Sequence, residues 1–174
     1  MRKGDWMQTV SGKQLWPLDP RPEEIDLYDI AHSLSNMCRF NGHCLRFYSV
    51  SEHSCYVSDL LDEKDKAWGL LHDASEAFLA DIIRPVKPYL NNYISIEDKM
   101  MGVIAQRFGL ETPMPKTVKI ADNKMLSAEM QQLMASPPKD WNLTEPAAEV
   151  NILCLSPDDS RELFLQKARK LGLN

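Results

Sequence analysis

The sequence has no apolar run approaching the ~20 residues that a membrane-spanning helix needs, so no membrane segment is expected. Its N-terminus, MRKGDWMQTV, is charged but has no apolar core behind it. That excludes a secretory signal and makes the cytoplasm the expected location. No C-x-x-C pair exists among Cys38, Cys44, Cys55 and Cys154, so a structural zinc knuckle is not expected. A chain without a signal keeps its thiols reduced, and buried free cysteines are the expectation. Positive charge is not in excess. The formal net charge of −5 argues against a polymeric nucleic-acid partner, which wants a basic face. It leaves room for a small phosphorylated substrate, which needs only one local positive site. Repeats, low-complexity tracts and inter-domain linkers are also missing.

What is present is helical pattern. The 174 residues suit one domain, since domains cluster near ~100–150 residues. Residues 1–24 carry Trp16-Pro17, Asp19-Pro20 and Arg21-Pro22, and read as an irregular or weakly stranded lead-in, because each proline turns its predecessor away from helix. Then Leu27, Ile30, Ala31, Leu34, Met37 and Cys38 recur at helical spacing, with Asn41-Gly42 as the stop. Ser49-x-x-Glu52 reads as a capping box opening a second helix, with Val50, His53, Val57 and Leu60 on one side. A third helix is expected from about residue 64 to 79, followed by the proline-punctuated loop DIIRPVKP at 81–88. A fourth covers 94–108 and stops at Gly109, and a fifth runs 115–134 with Val118, Ala121, Met125 and Ala128 inward. Residues 136–155 form a proline-rich connection with a short strand expected at 150–154. Ser156-Pro157-Asp158 caps a last helix. The class is all-α, with a helical core over 25–135 and a connection plus C-terminal helix over 136–174.

The chemistry gathers on three of these helices. His72 and Asp73 are adjacent, and Glu76 follows one turn after His72. His53 lies on the inward face of the second helix, and Asp122 on the inward face of the fifth. An ionised, unpaired inward carboxylate loses solvation worth several kcal/mol, so Asp122 and Asp73 need a cation or hydrogen-bond donors. A metal answers for both. Two imidazoles and two carboxylates make a mixed N/O set that suits Mn, Co, Fe, Ni or Zn better than Ca. Each residue alone has a plainer reading: His53 as a hydrogen-bonded core histidine, Asp122 paired with Lys119 or Lys124, Glu76 as a surface residue paired with a lysine, and Arg39 as a helix-end arginine offsetting the dipole. Their joint occurrence is what favours a metal centre.

The segments SEHS at 51–54, LLHDASEAFLADIIRPVK at 70–87 and VKIADNKML at 118–126 resemble the HD-domain phosphohydrolases. The nearest branch is the 5′-deoxynucleotidase-like group of small bacterial and bacteriophage enzymes. RFNGHCLRFYSVSEHS at 39–54 is similar to its phage-type subset. The resemblance implies a single HD-domain bundle of about five to seven helices and a divalent metal held by His53, His72, Asp73 and Asp122. It implies acid/base work for Glu76, a second active-site carboxylate in Asp81, and phosphate contacts from Arg39 and Lys87. His43 would be a further pocket residue, and His32 structural. Phe40 falls where the bacterial nucleotidases have a tryptophan against the sugar, a departure that bears on selection against a 2′-hydroxyl.

The expected activity is cleavage of the 5′-phosphate ester of a 2′-deoxyribonucleotide. A monophosphate would give nucleoside and phosphate; a triphosphate such as dATP would give nucleoside and triphosphate. Relatives form dimers or larger rings, so a homo-oligomer is expected. Two other readings stand beside this one. A metal oxygenase on a helical scaffold would ordinarily use two irons and more histidines than the four present. A non-catalytic nucleotide- or metal-binding regulator would show a degraded ligand set.

Overall fold

The computed structural model describes the whole chain, Met1–Asn174, and it is all-α apart from one small hairpin. That hairpin pairs β1 (Met7–Gln8) with β2 (Gln14–Leu15) antiparallel, with Met7 opposite Leu15. It lies in the stretch read as a weakly stranded lead-in. Seven α-helices follow: α1 (Leu27–Asn36), α2 (Val50–Asp59), α3 (Lys66–Leu71), α4 (Glu76–Leu79), α5 (Tyr93–Phe108), α6 (Lys116–Leu133) and α7 (Pro157–Lys170). None is long and apolar enough to cross a membrane. All four cysteines are free.

Helix ends follow local chemistry. The Asp26 carboxylate accepts from the Tyr28 amide at the start of α1, and the Ser156 hydroxyl accepts from the Asp159 amide at the start of α7. Gly109 ends α5 with φ 65°, a left-handed geometry that glycine adopts without a side-chain clash. Helix α1 stops at Asn36, earlier than its apolar spacing suggests. Cys38 instead pairs with Ser49 in an antiparallel bridge, and the Arg39 amide donates to the Tyr48 carbonyl. Met37 and Cys38 thus leave the helix because a partner strand segment satisfies their neighbours' backbone groups.

Helix α2 is the hub, packing on α1, α3, α6 and α7. Near the start of α2 Val50 joins a cluster with Ile30, Leu34, Leu70, Leu71 and Phe164. Two turns along, Val57 joins a second cluster with Trp68, Val118, Met125 and Leu133. Helix α3 lies hard against α2 at Gly69, where a side-chain carbon would come within 2.9 Å of the Ser58 Cα. This close approach carries His72 toward His53.

Further expectations are corrected. The third helix is not continuous over 64–79. It breaks between Leu71 and Glu76, where the Ala74, Glu76, Ala77 and Phe78 amides each donate to the carbonyl three residues earlier. That is the tighter 3₁₀ winding, found within helices at functional positions. Residues 150–154 form no strand. The Leu153, Cys154 and Leu155 amides donate to the buried Glu52 carboxylate, so this segment's donors are satisfied by a side chain. Only half of the capping box forms: the Ser49 hydroxyl accepts from the Glu52 amide, while the Glu52 carboxylate turns to 153–155.

Candidate metal centre

His53 sits on α2, wholly buried. Its Nδ1–H donates to Glu129 Oε1 at 2.5 Å, which leaves Nε2 as the free ring nitrogen. His72 follows α3, and its Nδ1–H donates to the Gly69 carbonyl at 2.7 Å. Its Nε2 is likewise free. Both Nε2 atoms are buried with no hydrogen-bond partner. They nevertheless face carboxylates: His53 Nε2 lies 3.3 Å from Asp122 Oδ1 and 3.8 Å from Asp73 Oδ2, and His72 Nε2 lies 3.2 Å from Asp73 Oδ2. Buried polar atoms without partners are rare enough to require a reason. Paired ring nitrogens tied back through Nδ1, with Nε2 open toward oxygens, are the pattern of metal-binding histidines. One ligand atom each from His53, His72 and Asp122 falls within 4.8 Å of the others, a group that can hold a metal ion.

Asp73 follows His72 in the turn after Leu71, and its carboxylate lies 3.2 Å from Nε2 of that neighbouring ring. Asp122 comes from α6, in the register Val118, Asp122, Met125 that faces the core. It also accepts from Lys119 Nζ at 2.6 Å, so the plainer pairing expected of it is present too.

Arg39 lies beside the cluster with 12% of its side chain exposed. Its Nη2 donates to Glu129 Oε2 at 3.2 Å, and its Nη1 is 3.6 Å from Asp73 Oδ2. It is therefore a buried ion-pair arginine and not a helix-end one. The two residues after it, Phe40 (φ 55°) and Asn41 (φ 51°), both adopt left-handed backbone. Such geometry costs about 1–3 kcal/mol per non-glycine residue and concentrates at working sites. Ala80 is a second case, with φ 70° and ψ 154°, and it ends α4 just before Asp81. Strained backbone thus directly follows Arg39, at Phe40-Asn41, and directly precedes Asp81, at Ala80.

No protein-family model matches the chain. A curated Escherichia coli protein, the uncharacterized protein YfdR, is 36% identical over 170 residues, covering 96% of each chain. The chain belongs to the YfdR family. An uncharacterized protein of Rhodobacter capsulatus is 35% identical over 145 residues, covering 75% of this chain and 74% of that protein.

The electrostatics of this YfdR-family site separate its acids. Asp73 and Asp122 are held well below the ordinary carboxylate range: burial pushes each up, but the His72 and His53 imidazoles, respectively, pull harder. Burial and the nearby Arg39 lower the His53 value, yet Glu129 and Asp122 outweigh them and lift it to about 9. Glu76 goes the other way. Burial, then Asp73 and Asp81, hold its carboxyl well above the usual range, and its Oε2 is buried without a partner. Asp81 is raised as well, by burial first. A neutral acid beside ionised ligands is a division of labour that acid/base chemistry uses.

The other expected residues fall at varying distance from this cluster. Lys87 donates to Glu97 at 2.7 Å and lies over the Tyr93 ring, with its charge near enough to act on Glu76. His43 is exposed, and no ion pair or hydrogen bond of its ring joins it to the cluster. Phe40 is half-buried, its ring 6.0 Å from that of Trp141 and 5.5 Å from the Arg39 guanidinium. Sequence reasoning missed Glu129 and Trp141. Glu129 had a signal: it lies seven residues after Asp122, two turns along the same face of α6. Trp141 had none, because its loop carries no periodicity.

Proposed function

We infer that the protein is a divalent-metal-dependent phosphohydrolase of the HD-domain type, acting on the 5′-phosphate ester of a 2′-deoxyribonucleotide. The observation that carries this reading is the pair of buried, partnerless Nε2 atoms on His53 and His72, facing Asp73 and Asp122. These four residues would hold the ion, and the mixed N/O donor set suits Mn, Co, Ni, Fe or Zn. An ion held there supplies an acidified water and a polarised phosphoryl oxygen.

This chain's own residues do the rest. Arg39, already fixed by Glu129, presents its guanidinium to the phosphate oxygens as charge builds on them. Glu76, kept neutral by burial, gives its proton to the leaving 5′-oxygen. Asp81 follows the strained Ala80 and adds negative charge that keeps Glu76 protonated. Phe40 and Trp141 form an aromatic wall next to Arg39 that suits the sugar and base of a nucleotide. The likeness of residues 39–54, 70–87 and 118–126 to the deoxynucleotidase-like enzymes supports the same substrate class.

The test is metal-dependent release from dAMP and dATP with Mn or Co, with the products separated by chromatography. Deoxyadenosine together with phosphate or triphosphate is the expected outcome. The Asp122→Ala variant should lose metal and turnover together. Tight nucleotide binding with no product at all would favour a non-catalytic regulator instead.

A further inference from the structure

Glu129 is wholly buried on α6, and each of its two oxygens is taken by a different functional group. Oε1 accepts from His53 Nδ1 at 2.5 Å, and Oε2 accepts from Arg39 Nη2 at 3.2 Å. The carboxylate therefore stands between an imidazole of the metal group and the guanidinium beside it. A buried carboxylate is costly unless compensated, and here both partners supply that compensation. The Tyr48 hydroxyl, also fully buried, faces the same carboxylate and helps hold it ionised, after Arg39 and His53.

We propose that Glu129 is a positioning residue that fixes the ring orientation of His53 and the placement of Arg39 through one carboxylate, so that a side chain able to serve only one of them weakens metal affinity, phosphate affinity or both. By accepting at Nδ1, Glu129 puts a proton on that nitrogen and turns Nε2 toward the space it shares with Asp122 and Asp73, where it can bind an ion. By accepting at Nη2, it holds the guanidinium within 3.6 Å of Asp73. A glutamine cannot do both, because it offers one acceptor oxygen and one NH₂ group. Whichever way the amide turns, a donor faces a donor. The proposal rests on the metal reading of the site but not on the identity of the nucleotide.

The test uses the full chain, titrated calorimetrically with Mn²⁺ and then, when loaded, with inorganic phosphate. In Glu129→Gln at least one of the two affinities should fall about fivefold or more, within the range seen when a ligand's supporting carboxylate is removed. Losses smaller than that in both would overturn the proposal. Wild-type protein that binds no Mn²⁺ would overturn the metal reading itself, a result the calorimeter separates from an unaffected variant. If the variant does not fold, the imidazole ¹⁵N spectrum of Zn²⁺-saturated wild-type protein decides. The proton should sit on His53 Nδ1; coordination of the ion through that nitrogen would overturn the assignment.

Discussion

Glu52 and His53 are neighbours on α2, and both are wholly buried, yet the fold treats them in opposite ways. Glu52 is saturated. Its oxygens accept from the Leu153, Cys154 and Leu155 amides and from the Tyr56 hydroxyl. His53 is satisfied on one side only, with Nε2 left open toward two carboxylates. One region of α2 is therefore a fastener that ties down the 150–155 segment. The other is poised for something the protein chain does not itself provide. A buried polar group that is fully paired explains structure, whereas one left open points to chemistry.

Three substitutions would sharpen or break that contrast. The largest effect is expected at Glu76, on the open side. Glu76→Gln should lower turnover by about 10²–10⁴-fold, the usual worth of a positioned general acid, with Mn²⁺ affinity retained. Near-normal rates would remove it from the mechanism. The same variant carries a pH signature in metal-free protein. Because the folded-state value of Glu76 is raised, its stabilising contribution is complete below the unfolded value and is lost as pH rises. As pH rises above the ordinary carboxylate range, the wild-type melting temperature should therefore decline relative to Glu76→Gln. Parallel curves would show that burial does not hold the proton.

On the saturated side, Glu52→Ala should leave activity chemistry intact but cost about 3 kcal/mol, since it strands the Cys154 and Leu155 amides while Leu153 keeps the Tyr56 hydroxyl, and each charge-assisted bond is worth more than a neutral one. Denaturant unfolding measures this. A cost under about 1 kcal/mol would mean that water replaces the carboxylate and the fastener is dispensable. The smallest effect belongs to Lys119, whose side chain is 58% exposed although it touches Asp122 of the candidate metal centre. Lys119→Ala should change stability by less than about 1 kcal/mol, as exposed pairs do. A loss of Mn²⁺ affinity in that variant would show that the lysine orients Asp122.

The helices themselves were legible because their signals are local. Apolar spacing, the Ser49 and Ser156 caps and the Gly109 stop act within a few residues. Asp122 and His53 were legible as candidates for the same reason: each is a polar residue in an apolar register. Two things were not legible. A short strand is the expectation for 150–154, but amides at 153 and 154 bond a carboxylate about a hundred residues earlier in the chain. The third helix was read as continuous because its apolar period does not change where the winding tightens.

The sequence alone therefore determined an all-α chain and the residue types able to bind a cation, since helix formation and side-chain chemistry are properties of short segments. Tertiary packing decided which of those side chains meet. Gly69 lets α3 close on α2 and brings His72 and Asp73 toward His53, and α6 delivers both Asp122 and Glu129 to the same imidazole. Those placements depend on contacts between distant segments, which no local pattern encodes.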